Sequence, residues 1–175
     1  LLEDHDEVEK VTLIPRGGAK GLTWFTGEED QMLISRSQLF ARISTALGGR
    51  VAEKIIFGDP EVTTGASNDL QQATSIARQM VTRYGMSRIG PIALENSKNE
   101  QFLSDGISNG PVTNRVDTEV REIVNHSERI ATRIILDNRP VIDLIVEKLL
   151  EVETIDGAEF RQLVEQYTIM PHKKV

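Results

Sequence analysis

Val62-Thr63-Thr64-Gly65-Ala66-Ser67-Asn68-Asp69-Leu70-Gln71-Gln72 is a polar turn that runs straight into a helix. Leu70, Ala73, Ala77, Met80 and Tyr84 follow at steps of 3, 4, 3 and 4, which is one apolar stripe on a helical surface. Ser67 or Asn68 is placed to cap this helix, each offering a side-chain oxygen to first-turn N–H groups that lack a partner. Asp69 then lies where the helix dipole favours a negative charge, worth about 0.3–1 kcal/mol. On local physics alone it is a helix-start carboxylate, a common placement.

Working upstream, Ser35 with Gln38 three residues on forms a capping box and opens a long helix. Leu39, Ile43, Ala46 and Leu47 make its buried stripe. Gly48-Gly49 inside such a helix costs about 1 kcal/mol per glycine relative to alanine. A close approach of another element, with no Cβ in the way, would explain that cost. Arg50 and Glu53 either support a site or form a solvated i,i+3 pair. Gly58 marks the helix stop, with Pro60 just beyond. Nearer the start, Glu9–Pro15 and Leu22–Phe25 read as two strands joined by the Gly-rich turn Arg16-Gly17-Gly18-Ala19-Lys20-Gly21, together a β-hairpin. That turn lacks the G-x-x-x-x-G-K-[ST] order of a phosphate loop. Trp24 and Phe25 serve either core packing or a binding edge.

Downstream, Ser87–Pro111 is irregular, rich in Ser, Asn, Gly and Pro, with nothing that suggests chemistry. Thr113–Leu136 reads as a helix with Val116, Val120, Ile123, Ile130 and Ile134 along its seam and Ser127 filling the gap. Pro140 opens the next helix, which carries Val141, Leu144, Ile145, Lys148 and Leu149 on one side. Glu153-Thr154-Ile155-Asp156 caps a last helix with Phe160, Leu163, Val164 and Tyr167 at helical spacing. The fold class that follows is mainly α-helical with a small β-hairpin or sheet near the N-terminus.

The 175 residues suffice for one domain with a real core. A net charge of −7 argues against nucleic acid, which needs clustered Lys and Arg. No apolar run approaches the roughly 18 residues that suggest a membrane span. The opening Leu1-Leu2-Glu3-Asp4, with neither methionine nor a signal-peptide pattern, reads as part of a longer polypeptide. With no cysteine, a metal must be held by His, Asp or Glu. The histidines are His5, His126 and His172, and no pair has metal-ligand spacing. A zinc hydrolase needs three protein ligands, an open position for water and a base. No complete set is present, so no catalytic residue is assigned within the chain.

Thr63-Thr64-Gly65-Ala66-Ser67-Asn68-Asp69, followed by Ala77-Arg78-Gln79-Met80-Val81-Thr82-Arg83-Tyr84-Gly85-Met86-Ser87, resembles the peptidase domain of the FtsH family, membrane-anchored AAA+ zinc metalloproteases. Leu47-Gly48-Gly49-Arg50-Val51-Ala52-Glu53 resembles a second family signature. The likeness runs in order from Val8-Glu9-Lys10-Val11-Thr12-Leu13-Ile14-Pro15-Arg16-Gly17 to Glu153-Thr154-Ile155-Asp156-Gly157-Ala158-Glu159-Phe160-Arg161, and the wording is most similar to cyanobacterial and plastid members.

The resemblance implies that Asp69 is the third zinc ligand. The other two would be histidines of an H-E-x-x-H helix, whose glutamate is the general base and which the family carries before the position of Leu1. This chain alone is therefore expected to be inactive. The resemblance further implies substrate pairing along Leu22, Thr23 and Trp24, the edge of a sheet beside the cleft. It implies ATP binding by a separate domain and a homo- or hetero-hexameric ring. It implies unfolded or damaged membrane and soluble proteins as substrates, and membrane attachment through N-terminal segments outside this chain. The expected location is the thylakoid or stromal face in a plastid, or the cytoplasmic face of a bacterial membrane. Within a single domain over 1–170, residues 1–87 form the hairpin and zinc-ligand half, 88–112 the irregular loop and 113–168 the helical half, with 171–175 a tail. The alternative is a proteolytically inert FtsH-like assembly module of a hexameric ATPase complex, and, apart from the family, a helical interaction domain.

Overall fold

The computed structural model describes residues 1–2, 5–15, 21–25, 33–94 and 111–168. The Gly-rich turn, most of the 88–112 loop and the tail lie outside them. The elements are β1 (Val8–Thr12), β2 (Leu22–Phe25), α1 (Arg36–Phe57), α2 (Ser67–Thr82), α3 (Pro111–Asp137), α4 (Arg139–Val152), β3 (Thr154–Asp156) and α5 (Gly157–Glu165). The chain is mainly helical with a small antiparallel sheet, as the sequence predicts. It divides into two compact units, 34–133 and 1–33 with 134–175.

Unit 34–133 is built on α1 against α2. The capping box forms: Ser35 Oγ accepts from the Gln38 N–H at 3.2 Å, and Gln38 Oε1 accepts from the Ser35 N–H at 2.7 Å. Leu39, Ile43, Leu47 and Val51 are buried along α1, and Ala73, Ala77, Met80 and Val81 along α2. Tyr84, expected on the same stripe, is 51% exposed, because α2 ends at Thr82 and helical spacing stops there. On α3 the buried line is Val116, Val120, Ile123, Ser127 and Ala131, so Ala131 takes the place expected of Ile130. The glycines of α1 are also a correction. A Cβ built on Gly48 or Gly49 meets nothing within 4 Å, so no close approach among the described residues explains them.

The other unit holds the sheet, in the order β2-β1-β3. β1 pairs antiparallel with β2, Val11 opposite Thr23, with a register shift between Val8 and Lys10. It also pairs antiparallel with β3, Val11 opposite Ile155. The expected hairpin is therefore two strands of a three-stranded sheet. Of the segment expected only to cap the last helix, Asp156 does cap α5, accepting from the Glu159 N–H at 2.8 Å, while Thr154–Asp156 is a strand. Glu153, at φ 60°, ends α4 in the left-handed region and turns its carbonyl to accept from the Leu13 N–H at 2.9 Å. The Thr12 and Thr154 hydroxyls lie 2.7 Å apart across the β1–β3 pair. Gly157 opens α5 hard against β1, where a Cβ would collide with the Val8 carbonyl oxygen.

Candidate functional site

The turn ahead of α2 is set from ten residues upstream in α1. The Thr63 N–H donates to Glu53 Oε2 at 2.9 Å, and the Thr63 hydroxyl donates to Glu53 Oε1 at 2.8 Å. Thr63 Oγ1 in turn accepts from the Gly65 N–H at 3.2 Å and caps a 3-10 turn, Thr64–Ala66, that leads directly into α2. The expected cap by Ser67 or Asn68 is absent: Ala66 is the N-cap of α2 and no side chain bonds there. The reason is that the 3-10 turn continues into the helix, which moves the capping position back to Thr63.

Of the two roles open to Glu53, the structure shows both carboxylate oxygens bonded to the Thr63 turn, with the Arg50 charge acting on it as well. The Thr63 N–H, then the Thr63 hydroxyl, hold its carboxyl below the ordinary value; desolvation opposes them, and the Arg50 charge adds a lesser lowering. Asp69 stands on the first turn of α2, exposed, and forms no hydrogen bond or ion pair among the described residues. Its carboxylate is free to accept a cation, and a carboxylate oxygen is an accepted zinc donor. Among the described residues no group of three His, Cys, Asp or Glu side chains is close enough to hold a metal. Asp69 therefore fits as one ligand, and the described residues do not make a complete zinc site.

The histidines take other roles. The His5 Nδ1–H donates to the Asp6 carbonyl at 2.9 Å, and the ring stacks edge-on with Phe25 at 4.7 Å. His126 packs edge-on against Phe40 at 5.4 Å. His172 lies outside the described residues.

Leu22, Thr23 and Trp24 lie on β2, an outer strand of the sheet. Thr23 is exposed and Trp24 half-buried, with the Lys10 ammonium 5.7 Å from its ring centroid. Asp69 belongs to unit 34–133 and β2 to the other, so neither unit brings them into one site.

Residues 1–163 match the sequence profile of peptidase family M41. The chain belongs to peptidase family M41. Among M41 relatives, it is 61% identical over 181 residues to an ATP-dependent zinc metalloprotease FtsH of Trieres chinensis, covering 100% of this chain and 28% of that protein. It is 49% identical to the ATP-dependent zinc metalloprotease FTSH 6, chloroplastic, of Arabidopsis thaliana, covering 98% of this chain and 26% of the relative. It is likewise 49% identical to an ATP-dependent zinc metalloprotease FtsH of Cyanidium caldarium, covering 95% and 28%. The M41 chain thus spans about a quarter of the length of these curated relatives. None of its described helices is long and apolar enough to cross a membrane.

Asp69 stands out in the sequence only through the family resemblance, and Glu53 there fits two roles. The signal for Glu53 lay in its pairing with Thr63, ten residues on and past a helix end, where no spacing rule connects them.

Proposed function

We propose that this chain is the peptidase part of an ATP-dependent zinc metalloprotease that degrades unfolded or damaged membrane and soluble proteins. The observation that carries the reading is Asp69: an exposed carboxylate, unpartnered among the described residues, in the first turn of a helix whose entry turn is held by Glu53 and Thr63. In this reading Asp69 is the third zinc ligand, and two histidines and a general base come from outside the described residues. Bound zinc would lower the pKa of a coordinated water and polarise the scissile carbonyl. The part of this chain is to present the Asp69 oxygen at a fixed position. The outer edge of β2, at Leu22, Thr23 and Trp24, unpaired among the described residues, would pair with an extended substrate through main-chain hydrogen bonds, which tolerate many sequences. ATP would be bound by a separate domain, and the working form would be a hexameric ring. The names of the chloroplastic relatives support a plastid location, with membrane attachment through other parts of the longer protein.

The test is Asp69→Ala in the full-length parent protein. Zinc content and proteolysis should both be lost while the oligomer stays intact. Full activity would overturn the reading. A correctly assembled parent without zinc even in its natural form would establish the inert assembly module in its place.

A further inference from the structure

Unit 34–133 also holds a cleft of about 570 Å³ between the start of α1, the turn at Ser87-Arg88 and the middle of α3. Phe40 and Ile123 give its lining an apolar part, beside Ser37, Ser87 and His126. Three arginines, Arg36, Arg88 and Arg129, line it. Arg36 is fixed there: its Nε donates to the Met86 carbonyl at 3.2 Å, and its guanidinium lies over the Phe40 ring at 5.2 Å. Glu119 and Glu122 line the same cleft, and Glu119 accepts the Arg88 backbone N–H at 3.1 Å. Yet among the described residues neither carboxylate forms an ion pair with any of the three arginines. Arginine forks left open beside available carboxylates suit a planar anion from outside.

The surrounding charges narrow the ligand. A polyanion such as nucleic acid or a multiply phosphorylated molecule would meet Glu119 and Glu122 and be repelled. A purely apolar ligand would strip water from three cations and give nothing back. A ligand with one carboxylate, an adjoining apolar group and N–H donors matches the arginines, the apolar side chains and the glutamates together. The guanidinium groups take the carboxylate, Phe40 and Ile123 the apolar group, and the glutamates the N–H donors. The volume matches small-ligand sites and holds a few residues at most. We propose that this cleft binds a carboxylate with an adjoining apolar group, as presented by the C-terminal end of a peptide chain. Asp69 stands in the first turn of α2 and the Ser87-Arg88 turn lies beyond its end at Thr82, roughly 20 Å of helix away. The proposal is therefore independent of the zinc reading.

The test is fluorescence anisotropy on the 175-residue chain. The probe is a labelled peptide ending in Ala-Phe, prepared with a free C-terminus and as its amide. The free acid should bind at least about tenfold more tightly than the amide, the scale of one charge-assisted pair. Arg129→Ala and, separately, Arg88→Ala should each weaken the acid about tenfold and leave the amide unchanged, with melting temperature as the control for folding. N-acetylphenylalanine should compete, and competing as well as the peptide would assign recognition to the terminal residue alone. Equal binding of acid and amide, full affinity in both variants, no saturable binding of either peptide, or stronger competition by inorganic phosphate would overturn the proposal.

Discussion

At the scale of single residues, the Asp69 turn depends on Glu53, whose two oxygens are both taken by Thr63. Its folded pKa lies below the ordinary 4.5, so the brace is complete above that value and is lost as pH falls through the lower folded pKa. The Thr63 amide signal in NMR spectra should therefore titrate with a midpoint below 4.5, and Glu53→Gln should abolish that titration. A Thr63 signal that titrates with a midpoint at 4.5 or above would show that the brace is not formed. Residue by residue, the site was only partly legible in the sequence. Asp69 alone is one more acidic residue in a first helical turn, and the resemblance singled it out. Glu53 and Thr63 meet because α1 stops at Phe57 and the chain folds back, a geometry that periodicity does not encode.

At the scale of elements, the long helices were read well because their signals are local. Ser35 and Gln38 close their box within one turn, and Gly58, at φ 91°, ends α1 where only glycine is at ease. β3 was missed because it is three residues long and owes its existence to β1, far away in sequence. Glycine reads differently in two elements. Gly48 has open space where a Cβ would sit, so Gly48→Ala should stabilise the isolated chain by up to about 1 kcal/mol in chemical denaturation. A loss of stability there would mean that the described packing of α1 is incomplete. Gly157 is the opposite case, since an added Cβ would sit 2.9 Å from the Glu9 carbonyl oxygen. Gly157→Ala should cost about 1–3 kcal/mol, read as a lower urea midpoint, by pushing α5 off β1. An unchanged midpoint would show that the contact relaxes freely.

At the scale of the whole molecule, the helical class and the family were legible across nearly the full length. The division into two units was not, because it depends on which distant segments close on each other. Unit 34–133 is continuous in sequence and carries its own buried side chains, among them Ile43, Met80 and Val81. The other unit joins the beginning of the chain to its end, with Ile155, Val141 and Val164 buried.

That joining has a consequence for the order of events on the ribosome. β1 leaves the exit tunnel early, but Thr12 must wait for Thr154, 142 residues later, before its second edge can be paired. At a synthesis rate of about 5–20 residues per second, the wait is on the order of ten seconds. Unit 34–133 can complete itself in that interval. Nascent chains halted once residue 133, and again once residue 168, has cleared the exit tunnel and probed by brief proteolysis should show this unit protected at the first stop, and β1 protected only at the second. Protection of β1 at the first stop would mean that the strand finds a partner other than β3.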